Sequence, residues 1–467
     1  MRMNRNVQTN ISTPRTHEGA KAKHTTAEEK LRRAVLSCFL WEDQFYEDGK
    51  NIAFRISELV PQVDPSLCAE IVLEARNNMY LRHAPLLLVR EMVKHKTHKP
   101  YVANLLENII QRPDELSEFL SLYWSNPVEK SKVIKGGGWY TSTQTVRYID
   151  WVRNKTPIAA QVKKGLAAAF CKFDEYQLAK WDKDNRDIKL RDVLFMVHAK
   201  PKDYEQNKLW KDLINKRLAT PYTWETELSS GKDKKKAWEG LLKSKKLPVM
   251  AFLMNLRNME DVNVNRQIIQ EYFNWVEPRK LLPTRFISAA KYAPKWEAQI
   301  EEMMFKCVGM YPKIKGHTIL LVDVSGSMDV SISDKSERTR LDAALGLSIM
   351  ARELCESIEI YSFSTRTVLV PARRGFGLSE AISRSQGHGG TDLGSAVNLA
   401  MNKEHDRIIV ITDEQSHTKV PDPKGLAYMI NVASYENGIG YGKWNHIDGW
   451  SDKVLQYISS IEDFLSA

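Results

Sequence analysis

Five oxygen-bearing side chains in the last third of the chain have the types and spacing to hold a hard metal ion. Asp323, Ser325 and Ser327 form a D-x-S-x-S run directly behind the apolar stretch Ile319–Val322. Thr391 follows Gly389 and Gly390, and Asp413 follows the apolar run Arg407–Thr412. Alternate positions of a tight loop leaving a strand can turn one carboxylate and two hydroxyls toward a single point. Such ligands, completed by water, suit magnesium at roughly 2.1 Å in octahedral geometry, and manganese accepts the same donors. Asp and Ser are also common after strands as helix caps. The three-residue run is therefore weak alone, and five positions in order carry the reading. His388 and His417 lie near the same loops, where a positioned base beside magnesium would make a hydrolase. Nothing in the sequence orients either one, and polar loop residues are the plainer reading.

A second group of residues is basic. Lys163, Lys164, Lys180, Lys183, Arg186, Lys189, Arg191, Lys200 and Lys202 fall within forty residues, interleaved with Phe170, Phe173, Tyr176 and Trp181, and His198 stands near the end of a helical run. Cations neutralise phosphates while rings stack on unpaired bases, so the mixture fits single-stranded nucleic acid. Against this, Phe170 and Phe173 have the helical spacing of core residues, and the lysines fit a solvated face. The run Lys232–Lys236 reads as a solvated loop or helix start. Charge is unevenly divided: 52 basic and 38 acidic residues precede Lys313, against 16 and 20 from there on. A basic long segment joined to a mildly acidic short one suits contact with a polyanion, although lysine also serves solubility alone.

The elements that must position these residues follow two grammars. Residues 1–25 are polar and basic without apolar period and read as a flexible basic arm. Thr26-Ala-Glu-Glu29 fits a capping box opening a helix with Leu31, Val35, Leu36, Phe39 and Leu40 on one face. From there to about residue 311, helical segments recur between short breaks: Pro65–Tyr80, Pro85–His95, Val102–Gln111, Glu115–Trp124, Ala159–Phe173, Lys189–His198, Tyr204–Leu218, Pro248–Met259, Gln267–Val276 and Trp296–Val308. No stretch there alternates convincingly like a strand. Serial amphipathic helices with short links predict a HEAT- or armadillo-like α-solenoid; with no strict repeat visible, a compact helical bundle is the alternative. After Pro312, strand-like runs (His317–Ser325, Ile358–Ser364, Thr367–Val370, Arg407–Thr412, Ala427–Ala433) alternate with helical ones (Arg340–Cys355, Asp392–Asn402, Asp452–Leu465). That order predicts an α/β domain over 312–467 with a mainly parallel sheet, whose ligands bind beyond the strands' C-terminal ends.

Other classes are disfavoured. No apolar run reaches the length of a membrane span, and the polar N-terminus lacks the core of a secretion signal. Five scattered cysteines without a C-x-x-C pair fit a reducing cytoplasm rather than structural zinc or disulfides.

Two resemblances sharpen these readings. Asp323, Ser325, Ser327, Thr391 and Asp413 resemble the metal-ion-dependent adhesion site of von Willebrand A domains, where a partner's acidic group often completes the ligand shell; the resemblance implies magnesium or manganese and binding rather than catalysis. The runs Val162–Phe170, Phe173–Trp181 and Lys189–Pro201 are similar to the central block of the TROVE module. Arg32–Gly49 resembles the module's opening and Pro248–Arg257 a later helix. Together with the A domain, this identifies the chain as resembling a bacterial or phage member of the Ro ribonucleoprotein family. The family implies a monomeric ring of HEAT-like repeats (26–311) closed by the A domain. Small noncoding Y or Y-like RNA would lie on its basic outer face, and single-stranded ends of misfolded RNA in a central hole. It also implies a role in RNA quality control or stability, with an exoribonuclease as possible partner, and no enzymatic activity. Carried over by motif, His198 matches the RNA-contacting histidine, Lys180 the lysine of L-A-K and Lys164 the K-G-L helix. Arg186 and Lys183 compete for a further contact, and Lys200 belongs to the same run. A magnesium-dependent adhesion or assembly scaffold is the alternative function.

Overall fold

The computed structural model describes residues 14–36, 49–135, 143–278, 281, 283–333, 336–433, 435, 437–449, 451, 454, 455, 457–459 and 462. The capping box at Thr26 is formed as its sequence implies: the Thr26 amide donates to Glu29 Oε2 at 2.7 Å and the Glu29 amide to Thr26 Oγ1 at 3.2 Å. The helix Ala27–Leu36 follows, with Leu31, Val35 and Leu36 buried; Phe39 and Leu40 lie outside the described residues. Helices then pack serially on their neighbours in the chain, Pro65–Asn77 against His83–Met92 and Lys99–Ile109, and Lys99–Ile109 against Ala160–Phe170. The last crossing is close at Gly165, where a Cβ would stand 2.7 Å from the Ala103 carbonyl oxygen, so the glycine of K-G-L lets two helices touch.

The body departs from the all-helical expectation. Strands β1 (Ser125–Lys135) and β2 (Thr143–Arg153) form an antiparallel ribbon whose register runs from Ser125 opposite Arg153 to Lys135 opposite Thr143. The second strand's sequence is rich in β-branched and aromatic residues, as strands are. Its apolar residues come in adjacent pairs (Tyr148-Ile149, Trp151-Val152), so a test for strict alternation passes over it.

Two apolar cores divide the helices that precede the α/β domain. One gathers residues from Leu31 to Leu213, and the other runs from Trp238 through the helices Val249–Asp261 and Glu297–Val308 into the α/β domain. The change of grammar at residue 312 is therefore not a break in the core; that break lies between Leu213 and Trp238.

The α/β domain contributes β3 (Ile314–Asp323), a short hairpin of β4 (Ser331–Ser333) and β5 (Ser336–Thr339), then β6 (Cys355–Phe363), β7 (Thr367–Leu369), β8 (Arg407–Thr412), β9 (Leu426–Asn431) and β10 (Asn445–Asp448). Six of them form one sheet in the order β10-β9-β8-β3-β6-β7, parallel except for β7. The central β3 is buried on both faces, as parallel strands are. Leu320 and Val322 join the core shared with the helix Arg340–Leu354, while Ile319 and Leu321 join a separate cluster under the helix Leu393–Met401. The helix Gly375–Ser383 and strand β10 went unread in the sequence. The closing helix expected over 452–465 lies partly outside the described residues.

The N-terminal arm is also not free along its described part. Thr16 Oγ1 donates to the Ser416 carbonyl at 2.7 Å, the His17 amide to Gln415 Oε1 at 2.7 Å, and the Lys23 amide to the Gly438 carbonyl at 3.0 Å. Lys23 Nζ pairs with Asp422 at 2.5 Å. Donors of a polar arm are thus satisfied by acceptors of a distant loop, which apolar periodicity cannot register; residues 1–13 lie outside the described residues. With the first helix docked beside β10, the chain closes on itself as a ring of helices completed by the α/β domain. Among the described residues no helix is long and apolar enough to cross a membrane.

Candidate metal and nucleic-acid sites

Strand order reverses between β3 and β8, the switch point at which open α/β sheets form a ligand crevice. Asp323 ends β3, and Asp413 directly follows β8. Pairing of Val322 with Ile411 brings Thr412 beside Asp323. The Asp323 carboxylate accepts from the Ser325 amide at 2.8 Å and from Thr412 Oγ1 at 2.6 Å. Ser325 Oγ stands 3.2 Å from Ser327 Oγ. The loops are stitched together: the Gly326 amide donates to the Gly389 carbonyl at 3.0 Å, and Ser416 Oγ and the His417 amide donate to the Thr391 carbonyl at 3.2 and 3.0 Å. Asp323, Ser325, Thr391 and Asp413 are buried and Ser327 is half-buried.

Burial, and then the charge of Asp413, push the Asp323 carboxyl well above the usual carboxylate range. Two buried carboxylates in mutual repulsion, flanked by hydroxyls, form a donor set that a divalent cation relieves, so the residues fit magnesium or manganese. Among the described residues no cluster of three or more His, Cys, Asp or Glu side chains has ligand geometry; an ion here would depend on the hydroxyls. Sequence reasoning missed Arg340, whose Nη1 reaches Asp413 Oδ2 at 3.4 Å in the interior. It opens a helix behind the capping pair Thr339 and Asp342, a signal visible in the sequence. His388 is turned away from base chemistry: its Nδ1 meets Asp329 Oδ2 at 2.7 Å and its Nε2 the Ser383 carbonyl at 2.9 Å. His417 is exposed.

The basic residues fall into three settings. His198 caps the helix Leu190–Val197 in the left-handed region, φ 54°, exposed to solvent. With Phe195, which is 58% exposed, it lines a hollow of about 320 Å³ that also includes Trp210 and Lys211. Lys180 and Lys183 line a different hollow, of about 420 Å³, with Trp181 and Lys216. Lys164 and Lys200 are exposed. Arg186 is engaged internally: it reaches Asp114 Oδ2 at 3.2 Å, Glu118 Oε1 at 3.5 Å and the Asp114 carbonyl at 3.3 Å. Between Arg186 and Lys183 the geometry thus leaves Lys183 open to a ligand. Phe170 and Phe173 are buried. A larger cleft, about 890 Å³, lies at the ring closure between the first helix and β10, away from both sets.

Comparison with known proteins bears on this arrangement. Residues 214–343 match the family model of the TROVE domain. Over that stretch the chain is similar to the TROVE domain. A segment of 91 residues, 18% of the chain, is 36% identical to telomerase protein component 1 of Mus musculus, and spans 3% of that protein's length. The crystal structure of the Deinococcus radiodurans RO (RSR) protein has the same fold, with a TM-score of 0.57 over 93% of this chain and 99% of that one, at 16% identity. The TROVE match begins where the first core ends and runs through the D-x-S-x-S loop. It does not include the block 162–201 that holds His198, Lys180 and Lys164.

Proposed function

We propose that this chain is an RNA-binding ring protein of the Ro type, acting in RNA quality control or stability. Small noncoding RNA, Y or Y-like, is bound on the basic outer surface, and single-stranded ends of misfolded RNA enter a central hole. The observation that carries the reading is the exposed set of Lys164, Lys183, His198 and Lys200 on a body with 14 more basic than acidic residues. Phosphate contacts from such cations supply affinity, and exposed rings such as Phe195 supply stacking. Filter binding of RNA across a salt series tests it. Log affinity should fall linearly with log salt, by about 0.7 per phosphate neutralised on a single strand; a flat response, or no RNA copurifying from cells, would sink it.

A second reading is favoured by the stitched loops around Asp323 and Asp413. Magnesium or manganese held by Asp323, Ser325, Ser327, Thr391 and Asp413 would supply a Lewis-acidic position for an acidic group of a partner protein, an exoribonuclease being one candidate. Asp323→Ala should abolish such a pull-down while leaving RNA binding intact. Metal-dependent hydrolysis is the least supported use, since both ring nitrogens of His388 are occupied; incubation with labelled RNA and magnesium, without turnover, retires it.

A further inference from the structure

The turn leaving the helix Lys234–Lys243 presents two lysines to two exposed rings. Lys246 Nζ lies 4.8 Å from the ring centre of Tyr222, and Lys245 Nζ lies 4.9 Å from that of Trp275. Tyr222 is 51% and Trp275 44% exposed. Lys245 holds φ 58°, a left-handed conformation that side chains other than glycine adopt at a cost. Neither lysine is ion-paired among the described residues. Trp275 also walls an open cleft of about 450 Å³ with Leu247, Val249, Tyr272, Val276 and the acidic Glu277. Lys234, Lys235, Lys236 and Lys243 on the same helix are exposed and extend the positive charge.

Exposed aromatic faces beside unpaired ammonium groups are what an unpaired nucleotide strand needs: a flat apolar surface for each base and a cation for each phosphate. A duplex hides its base faces and would use the lysines alone. A protein partner would be expected to cover the rings within a wider apolar rim, whereas here the rim is lysine-rich. We propose that this turn is a second single-stranded RNA contact, with bases stacking over Trp275 and Tyr222 and phosphates lying against Lys245 and Lys246. The inference rests on the RNA-binding reading above but uses different residues, inside the TROVE match, with the Trp275 ring against Tyr272 of the other apolar core. A strand touching both this turn and the His198 region is held at two points, and the second attachment becomes intramolecular.

Anisotropy of a fluorescein-labelled oligouridylate, across a salt series, tests it on the full chain. The pair Lys245→Ala/Lys246→Ala should reduce the salt slope by about 1.4, two phosphates at roughly 0.7 each. Trp275→Ala should weaken binding roughly fivefold to a hundredfold, and Trp275→Phe should recover most of it. Should Trp275→Ala fail to fold by circular dichroism, the exposed lysine pair still decides the matter. If the turn variants bind like wild type while Lys164→Ala/Lys200→Ala binds weakly, this contact is overturned and RNA binding stands. If the wild type does not bind the oligonucleotide, the RNA reading falls and this contact with it. Equal losses against a blunt RNA duplex would overturn the stacking.

Discussion

Arg33 and Glu414, 381 residues apart in sequence, meet at 2.8 Å with both side chains withdrawn from water. The pair ties the first helix of the body to the loop that begins with Asp413, and so closes the ring beside the candidate metal site. Tyr441 accepts from Arg33 Nε at 3.0 Å, and Glu414 Oε2 also accepts from the Ile439 and Gly440 amides at 2.8 and 2.9 Å. Burial would penalise both charges, yet each holds the other ionised: the Glu414 carboxyl lies well below, and the Arg33 guanidinium above, its ordinary range.

Breaking that pair should open the ring before it unfolds the domains. Removing one partner of a buried ion pair typically costs about 3–5 kcal/mol where the other charge is left unpaired; here Glu414 would keep His446 and Arg33 would keep Asp448 at 3.9 Å, so the cost should fall below that range. Glu414→Ala should cost more than Arg33→Ala, since it also orphans two buried amides. Urea unfolding measures the cost, and limited proteolysis near residue 24 reports the opening. Unchanged midpoints and unchanged cleavage would show that other contacts hold the closure.

Closure should also weaken in alkali. His446 is buried, which by itself lowers its affinity for a proton, but Asp448 and Glu414 outweigh this and raise it to about 9 from 6.5. The groups facing it are Glu414, Asp448, Arg33 and Tyr441. A pKa raised by folding gives stability that is complete below about 6.5 and is lost as pH climbs toward 9. One proton limits the slope to about 1.4 kcal/mol per pH unit. Melting temperature followed from pH 6 to 9 should decline in wild type, and the decline should be shallower in His446→Gln.

Much of this was legible in the sequence, and the misses share a cause. The helices Tyr204–Ile214, Val249–Asp261 and Arg266–Trp275 and strand β8 stand within a few residues of where periodicity puts them, because each buries a stripe or face fixed by its own sequence. That Asp323, Ser325, Ser327, Thr391 and Asp413 stand at strand ends and in the loops beyond them was readable, because those are local features. What stayed hidden depends on distant partners. Arg33 reads as one more helix-surface arginine until Glu414 reaches it from the far end of the chain. Arg186 reads as a free cation until Asp114 and Glu118 engage it. The rings of Tyr222 and Trp275 carry no signal in the sequence, because only the fold brings Lys246 and Lys245 to them.

The carboxylates Asp323 and Asp413 should give the protein a measurable response to divalent ions. An ion bound only by the folded state raises stability by RT ln(1 + [ion]/Kd), about 2.7 kcal/mol at a hundredfold excess over Kd. Titration of magnesium or manganese should raise the melting temperature saturably, and chelation should reverse it. Asp323→Asn should abolish the response. It should not destabilise the ion-free protein much, because it removes a buried charge that Asp413 repels. A wild type indifferent to both ions would remove the metal reading.

Substitutions at His198, Lys183 and Arg186 should separate binding from packing. His198 is exposed and holds φ 54°, so His198→Gly relieves a left-handed strain of roughly 1–2 kcal/mol while deleting the imidazole. The variant should melt no lower than wild type and bind RNA more weakly. Lys183, exposed at the rim of its hollow, should behave likewise on change to Ala, with stability within about 0.5 kcal/mol of wild type. Arg186→Ala should do the reverse. Asp114 is buried and also answers to Arg82 at 2.7 Å and Arg112 at 2.5 Å, so losing Arg186 weakens a shared network by about 1–2 kcal/mol. RNA affinity should change little. Paired melting and anisotropy measurements on the three variants check the split. An Arg186→Ala protein that is stable but deficient in RNA binding would show that the arginine leaves Asp114 for a phosphate.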